Sequence, residues 1–143
     1  MTSEEFTSIN QRIDLLDEPN PPLWGKMNSN QMICHCADLI RISLGEKEVS
    51  ANDNWKIEEI TEMRKAGKTI PTIKGFDQVE DGGTQPTNFK TDKETLKKIV
   101  VRYYQLEPSF EFSPHPFFGK MEKTKWTAHI IWHLDHHLKQ FGK

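Results

Sequence analysis

Two cysteines are all that the 143 residues hold, and they stand two apart, at Cys34 and Cys36. On a helix such residues point away from each other, so an internal disulfide between them is excluded. Without a disulfide framework the expectation is a reduced, cytoplasmic protein. No apolar run approaches the ~18 residues that mark a membrane span. The opening MTSEEFTSIN is acidic and polar, unlike an ordinary signal peptide. The formal net charge is −2 and the lysines are scattered, so there is no basic stripe to mark a nucleic-acid partner. HExxH is missing, which leaves zincin-type proteolysis unsupported. The repeated Glu-x-x-His of di-iron carboxylate bundles is missing too. The length suits one domain, residues 1–143, around a single core.

What the chain does hold is helical periodicity and histidine. The first helix is expected over roughly Glu4 to Asp17, with Phe6, Ile9, Ile13 and Leu16 on one face and Thr2 and Glu5 at capping-box spacing. A second begins near Asn28, spaced to Gln31 in the same way, and runs to about Leu44. A third begins after Thr91, spaced to Glu94, and stops before Pro108. A fourth runs from about Glu122 to Phe141. Between them, Asn54 to Ala66 reads as a short helix carrying Trp55, Ile60 and Met63. Ile70 to Asp92 and Ser109 to Gly119 read as loops, long enough to be functional. Two stretches begin alike, WGKMNSNQMICHC and FFGKMEKTKWTAHIIWHLDHH. Aligned at Gly-Lys-Met, they set His35 opposite His129, and the second carries four of the six histidines.

On a wheel of the last helix with Trp126 at zero, the core stripe is Ile130, Leu134, Phe141, Leu138 and Ile131, while Lys125, Asp135 and Lys139 face away. His137 falls at about 20° and His133 at about 340°, at the core edge; His129 and His136 lie near 300° and 280°. His133 and His137, four apart, stack on one face and can converge on one ion. His133 with His136, and His129 with His133, are also spaced to converge. A third ligand is offered by His35, which lies among Met32, Leu39 and Ile42 on the second helix. An imidazole there needs a partner, because an unpaired buried polar group costs about 1–3 kcal/mol. A metal would satisfy it, as would a carboxylate; Asp38 and Asp135 are the nearest in sequence. Three neutral imidazoles suit zinc or nickel first and iron or manganese next, and three protein ligands leave positions open, as catalytic sites do. Cys34-His35-Cys36 cannot grip one ion, since consecutive helical residues diverge; Cys36 is expected in the core and Cys34 near the surface. His115, between two prolines, is either an acid, base or fourth ligand over the site, or the anchor of Phe117 and Phe118. Gln140, at about 320°, either touches a bound molecule or is a solvated flank.

HLDHHLKQFG, the His35 helix entered through LWGKMNSNQM, and the loop HPFFGKM together resemble the DinB-like (YfiT-like) superfamily of four-helix-bundle metalloenzymes. More narrowly, they resemble an uncharacterised bacterial branch with an HPxFG loop and a terminal HHLxQFG. The resemblance implies an all-α four-helix bundle, a mirror variant of up-and-down topology with long connecting loops. It also implies a divalent metal on His35, His133 and His137, and an activity that uses the metal to activate a low-molecular-weight thiol such as bacillithiol or mycothiol.

Two functions follow as expectations. One is a metal-dependent thiol S-transferase or related hydrolase acting on an electrophilic small molecule, with His129, His136 or His115 moving a proton. The other is a non-catalytic bundle, stress-linked or interacting, whose histidines are structural. A homodimer through exposed aromatics such as Trp132 fits either.

Overall fold

The computed structural model describes residues 1–50, 56–66, 73, 75–79 and 82–143. The chain is all-α, with no strand among the described residues. Its helices are α1 (Ser3–Asp14), α2 (Ser29–Ser43), α3 (Ile57–Lys65), α4 (Phe89–Tyr104) and α5 (Lys123–Gln140). Two of the expected capping boxes form. Thr2 Oγ1 accepts from the Glu5 amide while Glu5 reaches back to the Thr2 amide, and Asn28 and Gln31 do the same at the start of α2. Each pair satisfies two amides that the first helical turn would otherwise leave without partners.

The third box does not form where it was expected. α4 starts at Phe89, ahead of Thr91, because Asn88 Oδ1 accepts from the Thr91 amide at 3.2 Å and so claims the N-cap. Asn88→Ala is therefore expected to cost about 1 kcal/mol in chemical denaturation. A loss below the error of the measurement would return the helix start to Thr91. α3 lies within the expected Asn54–Ala66 and buries Ile60, whereas Asn54 and Trp55 lie outside the described residues, as do residues 70–72, 74, 80 and 81 of the expected loop.

α1 and α2 each pack against both α4 and α5. The apolar stripes meet in one core that includes Ile9, Ile13, Ile40, Leu96, Trp126 and Leu138. The α5 stripe is buried at Ile130, Leu134, Leu138 and Phe141, with Ile131 only partly covered at its margin. Tyr103 and Thr127 join α4 to α5 through a buried hydroxyl pair at 3.0 Å. Arg12 ties α1 to the end of α5, donating to Asp135 Oδ1 at 2.9 Å and to the Lys143 carbonyl at 3.0 Å.

α2 departs from a one-faced helix: 12 of its 15 residues are buried. Residues 76–79 and 82–84 lie across the side that α4 and α5 leave uncovered, with Thr84 bonded to Asp38 of α2 and the Phe76 carbonyl to His35. This corrects the expectation for Cys34, which is buried like Cys36; both thiols are free. Burial pushes the Cys34 thiol up to about 12, far from a reactive thiolate. No helix among the described residues is long and apolar enough to cross a membrane.

Candidate metal centre

Three histidines meet between α2 and α5. His35 comes from the middle of α2, and His133 and His137 come from successive turns of α5. Their ring centroids form a near-equilateral triangle, with His35 4.8 Å from each of the other two and His133 4.5 Å from His137. One nitrogen from each ring lies within 4.8 Å of the others, so the three could hold a metal ion. They are 7 %, 8 % and 7 % exposed respectively. The i, i+4 spacing on α5 accounts for the pair. The burial of α2 on both sides accounts for the third.

Hydrogen bonds fix the protons on two of the rings. The Phe76 carbonyl can only accept, so His35 Nδ1, 3.2 Å away, carries a hydrogen and Nε2 keeps its lone pair. Gln140 donates its Nε2 to the Trp24 carbonyl at 2.6 Å, which turns its Oε1 towards His137 Nδ1 at 2.8 Å. His137 is therefore also the Nδ1–H tautomer with a free Nε2 lone pair. His133 Nε2 is buried and has no hydrogen-bond partner. Such an orphan costs about 1–3 kcal/mol, and a metal ligand bond is one way to satisfy it. The donor set thus fits a transition metal: each ring offers one unshared lone pair, and two have their other nitrogen held by an oxygen, as ligating imidazoles generally do.

Burial keeps the rings uncharged. It holds His35 down at about 4, partly offset by the Phe76 carbonyl, and His137 down at about 3, with His35 adding to the effect. His133 is pushed well below the ordinary imidazole range by burial and then by its histidine neighbours. Neutral imidazoles are the form that binds metal.

Neither carboxylate expected nearby hydrogen-bonds to a histidine of the triad. Asp38 is fully buried, and it pins the covering segment to α2. Thr84 donates to it through its amide at 2.8 Å and its hydroxyl at 2.6 Å, Gln78 Nε2 donates at 3.2 Å, and Arg41 and Lys47 pair with it at 3.1 and 3.3 Å. Asp38 therefore supports His35 by seating the residues beside the Phe76 carbonyl, and its charge partly offsets the lowering of the His35 pKa by burial. Asp135 pairs instead with Arg12 and Lys139.

His115 stands outside the triad. Its Nδ1 accepts from the amides of Phe117 and Phe118 at 3.1 and 3.3 Å, so its hydrogen is on Nε2, the opposite tautomer to His35 and His137. Its backbone pairs with Gly119 in both directions, and its ring packs on Trp126 and His129 at 5.2 Å from each. His115 is the anchor of the HPFFG loop. His129 is half-buried, between His115 and His133, and Trp132 stacks between His129 and the exposed His136. His136 also touches His137, at 5.0 Å. A groove of about 410 Å³ beside Met1, Glu5, Lys123 and Ile131 includes none of the histidines.

Periodicity alone missed the Phe76 carbonyl, the Asp38 clasp and the role of Gln140. The one sequence signal for the last is Gly25 in LWGKM, whose backbone φ of +83° places it in the region glycine favours.

No curated protein and no solved structure significantly matches the chain. One family model does match, over residues 3–143, and the chain belongs to that family, described as a protein of unknown function (DUF1569).

Proposed function

We propose that this chain is a divalent-metal protein of the DinB-like type, with His35, His133 and His137 holding zinc or nickel, or else iron or manganese. In the same reading α1, α2, α4 and α5 form its four-helix bundle, and the loaded site transfers a low-molecular-weight thiol to an electrophilic small molecule or carries out a related hydrolysis. The observation that carries the metal is the buried, partnerless His133 Nε2 beside two imidazoles whose own lone pairs are left over. The bundle reading is supported by the packing of α1 and α2 against both α4 and α5.

Held by His35, His133 and His137, a divalent ion would supply Lewis acidity that lowers the pKa of a thiol or water towards neutral pH. The chain's own part is orientation and protonation. Phe76 and Gln140 aim two of the rings, and burial keeps all three uncharged. His136, exposed and against His137, and His129, against His133, are the groups we assign to carrying a proton to or from solvent. His115 keeps its anchoring task. A homodimer stays part of the proposal, on the exposed Trp24 and Trp132.

A second reading rests on the enclosure of the triad. The Phe76 ring lies 4.1 Å from His35 and 5.8 Å from His133, and each triad histidine is less than a tenth exposed. In that reading the metal is a structural staple and the protein is a non-catalytic partner.

Elemental analysis of untagged protein tests the site. The expected result is about one equivalent of a transition metal in the wild type, lost in both His35→Ala and His133→Ala. No metal after incubation with zinc, nickel, manganese or iron(II) would sink the proposal. If metal is bound, a panel of thiols and electrophiles separates the readings. Turnover that disappears in His133→Ala supports the enzyme, whereas a lowered Tm with no turnover from any loaded form supports the staple.

A further inference from the structure

The first Gly-Lys-Met entry, far from the triad in sequence, reaches one of its rings. Leu23 donates its amide to the Gln140 carbonyl at 2.7 Å, and Trp24 accepts from Gln140 Nε2 at 2.6 Å. Gln140 is only 4 % exposed, and its Oε1 meets His137 Nδ1 at 2.8 Å. The amide cannot turn round. Reversed, it would set its oxygen against the Trp24 carbonyl oxygen, two acceptors with no hydrogen between them. Gly25 closes the arrangement, because a β-carbon there would collide with Gln140 Nε2. The backbone of residues 23–25 therefore fixes the amide, and the amide fixes which nitrogen of His137 carries the hydrogen.

We propose that Gln140 is a positioning residue for His137, holding it as the Nδ1–H tautomer so that Nε2 is left for the triad, with the Leu23–Gly25 backbone as the clamp on Gln140. The consequence for metal affinity rests on the metal reading above; the effect on the tautomer does not. Chemistry selects glutamine here, because the site needs one acceptor towards His137 and one donor towards Trp24. A glutamate supplies the first and not the second. A methionine fills the same space and supplies neither.

The test compares wild type, Gln140→Met and Gln140→Glu by two measurements. Long-range proton–nitrogen NMR of the metal-free protein near neutral pH reads the tautomer of each histidine. The expected result is His137 as Nδ1–H in the wild type and in Gln140→Glu, with that preference lost in Gln140→Met. Zinc affinity, by competition with a chromogenic chelator, is expected to fall about 10–100-fold in Gln140→Met and to recover most of that loss in Gln140→Glu. If Gln140→Met lowers Tm but leaves both the His137 tautomer and the zinc affinity unchanged, Gln140 only packs and the proposal is overturned. If the wild type takes no zinc, the metal reading fails by itself. The tautomer comparison then decides: identical His137 assignments in wild type and Gln140→Met overturn the positioning role, and a changed assignment upholds it. Should Gln140→Met not fold, Gly25→Ala, which drives the amide off the Trp24 carbonyl, takes its place in both measurements.

Discussion

Metal-free protein taken from about pH 7.5 to about pH 4.5 is expected to lose its helical circular dichroism in one cooperative step. His35, His115, His133 and His137 are all buried as neutral rings with pKa values below the ordinary one, so the unfolded chain binds more protons than the folded chain. The sign follows: stability is fully present above about pH 6.5 and is lost as the pH falls towards the folded values. Those values are about 4 for His35 and about 3 for His115 and His137. By pH 4.5 each of these three groups favours the unfolded chain by roughly 2–3 kcal/mol. Together they reach the ~5–15 kcal/mol that holds a domain folded. Zinc is expected to move the transition to lower pH, since protons must displace it before the rings can charge. An unchanged spectrum and Tm across this range would show that the rings stay solvated enough to charge within the fold.

Asp38→Ala is expected to cost about 3–5 kcal/mol, the range seen when one partner of a buried ionic cluster is removed. Both carboxylate oxygens are engaged, and the carboxylate is fully buried. Arg41 and Lys47 are partly exposed and can return to water, so the loss comes mostly from the Thr84 amide and hydroxyl and the Gln78 amide left without an acceptor. In a chain of this size that is a drop in Tm of about 10 °C or more. Asp38→Asn, which keeps one acceptor oxygen for Thr84, is expected to recover part of it. A loss below about 1 kcal/mol in urea denaturation would mean that Gln78 and Thr84 are seated by something other than Asp38.

The parts of this protein that were legible in its sequence are those set by near neighbours. The Thr2 and Asn28 boxes are decided within four residues, and the His133–His137 pair by one helical turn. The N-cap of α4 was misread because two residues three apart, Asn88 and Thr91, both suit a cap, and spacing alone does not rank them. Cys34 was misread because a wheel assumes a wet face, and α2 has almost none. Asp38 and Asp135 are close to histidines along the chain, but their charges are met by Arg12, Lys47 and Thr84 from other elements. Gln140 falls on the flank of its wheel, and only the return of residues 23–25 makes that flank an interior.

The bond between Gln140 and Trp24 joins residues 116 positions apart. Closing so long a loop carries an entropic cost that one hydrogen bond cannot offset, so the packing of the helices between its ends must hold the two residues together. The orientation of His137 therefore depends on the two ends of the chain being brought together. Any change that frees residues 23–25 from α5 therefore frees the His137 ring as well, even though it touches none of the three histidines.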